Sequence, residues 1–125
     1  MKRALPQNHN ISIIYAEDEP IVRWSVSDDL RQAGFIVHEA ANGAEAMDLV
    51  AEGIAFSAVI TDINMPGAPD GGAFAQFIMR EHPSVPVIVT SSSLPADLQP
   101  SLFMTKPFST SRLVDFLAGQ LLSKA

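Results

Sequence analysis

The sequence predicts one α/β domain, doubly wound around a parallel five-stranded sheet. Three observations lead there. Short β-branched apolar runs alternate with stretches of helical periodicity, the pattern of a sheet covered on both faces. Each run but the second closes on acidic, hydroxyl or basic residues. The 125-residue length suits a single domain.

The elements follow in order. Ile11, Ile13, Ile14 and Tyr15 form an apolar run that stops at Glu17-Asp18-Glu19, short and β-branched enough for a buried strand. Pro20 can occupy the first helical position, and Val22, Val26, Leu30 and Ala33 keep helical spacing to the stop at Gly34. Phe35 to Ala40 is a second strand, and Asn42-Gly43 turns the chain. Ala44, Met47, Leu49 and Val50 mark a second helix ending at Gly53. Phe56 to Ile60 is a third strand, closing at Thr61-Asp62. A Pro/Gly-rich loop, Met65 to Gly72, leads to a third helix bearing Ala73, Phe74, Phe77 and Ile78, which stops by His82-Pro83. Val85 to Val89 is a fourth strand ending at Thr90, and Leu102 to Thr105 a fifth ending at Lys106-Pro107. Ser109 can cap a last helix with the stripe Leu113, Phe116, Leu117 and Leu121. Between Thr90 and Lys106, two prolines and a serine run leave room for about one helical turn. The fourth helix is therefore predicted to be short, irregular or absent.

Composition narrows the function. A net charge of −6 and a pI near 4.8 argue against nucleic acid, whose binding needs clustered Lys and Arg. The absence of cysteine removes disulfides, thiolate metal sites and thiol catalysis. No apolar stretch reaches membrane-spanning length, and Lys2 and Arg3 have no apolar run behind them, so a cytoplasmic protein without membrane insertion is expected. Residues 1–10 are expected to be a flexible leader before a domain over 11–125.

In open parallel sheets, ligands bind beyond the carboxyl ends of the strands. Glu17 and Asp18, Asp62, Thr90 and Lys106 all fall there. Three carboxylates in one cleft repel one another unless a cation intervenes. Mg2+, for which Mn2+ can substitute, prefers such oxygen donors. With an ammonium at Lys106 and a hydroxyl at Thr90, the set suits a phosphoryl group, whose transfer is mostly positioning and charge neutralisation.

These residues, with Asp62-Ile63-Asn64-Met65-Pro66, Val87-Ile88-Val89-Thr90 and Lys106-Pro107-Phe108, give the chain a strong resemblance to the receiver domains of two-component response regulators, of the chemotaxis-receiver type. The resemblance spans roughly residues 11 to 123. It implies a flavodoxin-like sheet of strand order 2-1-3-4-5. It implies that Asp62 accepts a phosphoryl group from the phosphohistidine of a sensor histidine kinase or histidine phosphotransfer protein. Asp18, Asp62 and the backbone carbonyl of Asn64 would bind Mg2+, with Glu17 holding it through water. Lys106 and Thr90 would contact the phosphoryl oxygens, and Phe103 would turn inward as Thr90 moves. Asn64 and Ser92 occupy rim positions that tune loss of the phosphoryl group. The resemblance also implies that Lys106-Pro107 is often cis.

The chain departs from the family in three places. Glu17 replaces the usual Asp, the loop Gly67 to Gly71 is one residue longer than the commonest form, and the segment after Thr90 is shortened. The family commonly signals through its fourth helix, fifth strand and fifth helix, so that surface is expected to differ. Plainer readings stand beside these. Glu19 serves the first helix dipole, Phe103 is a buried strand aromatic, and Trp24 is partly buried packing. His9, His38 and His82 share no spacing.

The chain is thus expected to be a stand-alone receiver whose output is a contact with a downstream protein, or relay to another histidine protein. A phosphorylation-independent docking module on the same fold is the alternative. A Mg2+-dependent aspartyl phosphatase would place a second acid where Asn64 stands, and a nucleotide site would need a Gly-rich loop after the first strand.

Overall fold

The computed structural model describes residues 11–122. The expected leader lies outside them. Five parallel strands, β1 (Ser12–Ala16), β2 (Ile36–Ala40), β3 (Ala58–Asp62), β4 (Val87–Ser91) and β5 (Leu102–Thr105), are ordered β2-β1-β3-β4-β5. The helices are α1 (Pro20–Gln32), α2 (Gly43–Ala51), α3 (Gly71–Glu81) and α4 (Thr110–Leu122). The fold is flavodoxin-like, as the sequence predicts.

Every residue of β3 and β4 is buried, which explains why both read as unbroken apolar runs. Alternate strand residues feed two cores. Ile13, Tyr15, Ile60 and Ile88 pack beneath Val26 and Leu30 of α1 and Leu113 and Leu117 of α4. Ile14, Val59, Val87 and Val89 pack beneath Ala46 of α2 and Phe74 and Ile78 of α3. The third and fourth strands begin two residues later than the sequence suggests. Pro86 has no N–H for the ladder and uses only its carbonyl, which accepts from Val59 N–H at 3.0 Å. The shift carries Asp62 into the last strand position, in register with Thr90.

Local chemistry sets the helix starts. Asn42 is a helix cap rather than only a turn residue. Its Oδ1 accepts the Glu45 N–H at 2.8 Å, and the Glu45 carboxylate accepts the Ala41 N–H at 2.8 Å. Asp70 caps α3 by accepting from Ala73 N–H at 2.9 Å, so that helix begins inside the expected loop. Gly71 is required by proximity: a Cβ there would collide with the Asp62 carbonyl oxygen. The α3 start is thus pressed against the end of β3.

Trp24 departs from expectation, being 67% exposed. It lies off the stripe through Val26 and Leu30 that α1 turns to the sheet. Between β4 and β5 there is no helix. A turn closed by Leu98 N–H to the Pro95 carbonyl (3.2 Å) replaces it, and Leu98, 3% exposed, enters the core on the α3 side. Ser101 anchors the return, its hydroxyl accepting from Val87 N–H at 3.0 Å. A cavity of about 250 Å³ lies between this segment and α3, lined by Ile63, Ala73, Pro95 and Leu98 among others.

Two glycines provide a test of this packing. Gly71→Ala is expected to lower stability by about 3 kcal/mol or more, since backbone must move. Gly119→Ala in α4, with nothing within 4 Å of the new Cβ, is expected to raise it by about 0.5–1 kcal/mol. Urea unfolding of both variants reads the contrast.

Candidate functional site

The strand ends form one acidic pocket. Glu17 remains tied to the sheet, its N–H donating to the Ala40 carbonyl at 3.0 Å, and it is fully buried. Asp18 is half-buried at the mouth, and Asp62 is buried at the end of β3. Each of the three offers a carboxylate oxygen within 4.8 Å of the other two. Lys106, reaching in from the end of β5, donates from Nζ to Glu17 Oε1 at 2.7 Å and to Asp62 Oδ2 at 2.8 Å. Among the described residues no cation pairs with Asp18. The Lys106-Pro107 bond is cis.

Backbone donors complete the carboxylates. Glu17 Oε2 accepts from Glu19 N–H at 3.1 Å, and Asp62 Oδ1 accepts from Asn64 N–H at 3.2 Å. Burial pushes the Glu17 carboxyl above its ordinary range, against the pull of Lys106. Burial alone would lower the Lys106 ammonium, but its hydrogen bonds to Asp62 and Glu17 outweigh that and hold it up. Tyr15 is raised by burial and then by Glu17 and Asp62.

Thr90 stands in register with Asp62, yet its buried Oγ1 has no hydrogen-bond partner among the described residues. Buried hydroxyls in folded proteins are almost always partnered. An acceptor arriving at Asp62 would supply the missing partner. The oxygen-only donors and the excess of carboxylates over ammonium fit a hard divalent cation.

Not every residue singled out in the sequence joins the pocket. Phe103 is half-buried, its ring packed on the core beneath α3. Ser92 is exposed on the bend after β4, and it is Ser91 Oγ, one residue earlier, that meets Asn64 Nδ2 at 3.4 Å. Sequence reasoning misses Arg23, whose Nη1 donates to the Glu17 carbonyl at 2.7 Å. The available signal is a cation one turn into a helix, where the dipole disfavours it.

Comparison with known proteins agrees with this geometry. The family model of the response regulator receiver domain matches residues 13–118. The sensor kinase CckA of Brucella abortus is 31% identical over 122 residues, covering 90% of this chain and 13% of that protein. The receiver protein of Sinorhizobium medicae superposes with a TM-score of 0.81 at 26% identity, covering 94% of this chain and 98% of that one. TrrA of Thermotoga maritima, solved in complex with Mg2+-BeF, superposes with a TM-score of 0.78 at 26% identity, covering 89% and 99%. The chain belongs to the response regulator receiver family of two-component signalling. Members of that family are phosphoacceptor switches rather than true enzymes; they bind Mg2+ at an acidic pocket and work with histidine kinases and phosphotransfer proteins. The chain spans 13% to 52% of the length of the curated relatives it matches. Among the described residues no helix is long and apolar enough to cross a membrane.

The Lys106 bridge can be tested by a double-mutant cycle. Lys106→Met leaves Glu17 buried without its cation and is expected to cost about 3–5 kcal/mol in metal-free buffer at neutral pH. Adding Glu17→Gln is expected to restore most of the loss, giving a coupling well above additivity in urea unfolding.

Proposed function

We propose that this chain is a phosphoacceptor switch with Asp62 as the acceptor. The observation that carries the reading is the pocket itself: a buried carboxylate flanked by two more, one bridging ammonium and one unpartnered hydroxyl. An Asp62 carboxylate oxygen attacks the phosphorus of a phosphohistidine on a histidine kinase or phosphotransfer protein. The P–N bond breaks, and the imidazole leaves with the bonding electrons and takes up a proton. Asp18, Asp62 and the Asn64 carbonyl would hold Mg2+, with Glu17 reaching it through water, and the ion would supply the positive charge that lets an anionic donor approach three carboxylates.

Lys106 then exchanges its contact with Asp62 for a phosphoryl oxygen. Thr90 donates its hydroxyl to another, acquiring the partner it lacks. That movement frees space behind β4 for Phe103 and shifts the helix-less segment that follows β4. Asn64 and Ser92 line the rim over which water reaches the acyl phosphate and set its lifetime. The output is a protein contact made or broken on this altered surface. TrrA, whose structure holds Mg2+-BeF, supports the same chemistry here. A constitutive docking module would have no use for a buried charge cluster that costs stability.

Incubation with acetyl phosphate and Mg2+ is expected to add one phosphoryl group by intact mass. Asp62→Asn and EDTA should each abolish it. Thr90→Ala should still accept the group, while the beryllofluoride-induced amide shifts in residues 92–101 disappear. Undiminished phosphorylation of Asp62→Asn would refute the assignment.

A further inference from the structure

Arg23 is tied into the pocket from behind, through the backbone rather than through a carboxylate. Its Nη1 donates to the Glu17 carbonyl at 2.7 Å. Its Nε faces Glu39 Oε1 on β2 at 3.4 Å. Glu39 is held in turn by Arg31 Nη1 at 2.9 Å, and Arg31 Nη2 donates to the Val37 carbonyl at 2.9 Å. Arg23 is therefore braced against the sheet edge before it reaches the strand end, with only 20% of its side chain exposed.

The Glu17 carbonyl and the Asp18 nitrogen belong to one planar peptide unit. Fixing that carbonyl fixes the plane from which Asp18 leaves β1. Glu17 itself is held by the N–H of the preceding peptide, which donates to the Ala40 carbonyl, and by its carboxylate, which accepts from Lys106 Nζ and Glu19 N–H. We infer that Arg23 is a positioning residue for Mg2+: by clamping the Glu17–Asp18 peptide against Glu39, it presents the Asp18 carboxylate to the ion. This inference rests on the proposed role of Asp18 and Asp62 as ligands.

Sign separates this role from the simpler ones. Arg23 carries positive charge beside an acidic site, so its removal, acting through charge alone, would tighten Mg2+ binding. A purely structural brace would lower the melting temperature and leave affinity unchanged. Positioning predicts weaker binding despite the lost cation.

The test is calorimetric titration of Mg2+ into the parent chain, Arg23→Gln, Arg23→Lys and Asp18→Asn, beside melting curves in EDTA. Arg23→Gln is expected to weaken Mg2+ about tenfold, within the range for residues that support metal ligands. Arg23→Lys keeps the charge and one donor but not the brace to Glu39, and should fall between Arg23→Gln and the parent. Unchanged or tighter binding in Arg23→Gln, with Asp18→Asn impaired, overturns this inference and leaves the proposed function standing. If Arg23→Gln does not fold, Arg23→Lys decides: a loss of about threefold supports the clamp, and parental affinity overturns it. No Mg2+ binding by the parent chain overturns both readings.

Discussion

The architecture of the site follows from one ammonium shared between two carboxylates. Two unpaired carboxylates at about 4 Å repel by roughly 4 kcal/mol at the effective dielectric of a protein site. Here three converge because parallel strands deliver their carboxyl ends to one edge of the sheet. Lys106 offsets the repulsion at the two buried acids, Glu17 and Asp62, which it reaches at 2.7 and 2.8 Å. Asp18 stays at the half-buried mouth, where water can reach it. One positive charge among three negative ones leaves a deficit that favours a divalent ion and, after it, a phosphoryl group.

The rest of the fold serves this edge by close packing. The first turn of α3 lies against the Asp62 carbonyl, and Gly71 is the residue that allows it. On the opposite side the chain abandons a helix between β4 and β5. Leu98 supplies apolar contact in place of a helical face, and Ser101 pairs both backbone groups of Val87, accepting the Val87 N–H with its hydroxyl and donating its own N–H to the Val87 carbonyl. Less surface is committed to packing between Thr90 and Phe103, the two residues of the proposed switch. The surface that the segment between β4 and β5 presents therefore lacks a helical face.

Much of this is legible in the sequence. Strand order and the missing helix follow from β-branched runs, punctuating prolines and the receiver resemblance. Glu17, Asp18, Asp62 and Lys106 stand out because a charge that directly follows a buried apolar strand is costly unless something binds it. Strand starts are displaced by two residues at Phe56 and Val85, where apolar side chains pack on the core without joining the ladder. Ser91 and Ser92 are adjacent and chemically alike, so only strand register assigns their faces and shows which one meets Asn64. The Arg23 contact is hidden because its acceptor is a backbone carbonyl, which no side-chain pattern encodes. Trp24 reads as packing for its size, while the position of the α1 stripe puts it outside.

The claim on which everything else depends is that the carboxylate cluster is completed by a divalent ion. Thermal unfolding of the parent chain and of Asp18→Asn, each with EDTA and with saturating Mg2+, tests it most directly. Binding at about a hundredfold excess over Kd adds about 2.7 kcal/mol. The parent midpoint should therefore rise by about 5 °C or more with Mg2+, while that of Asp18→Asn stays nearly still. An unmoved parent, or an equal rise in both proteins, would contradict the claim.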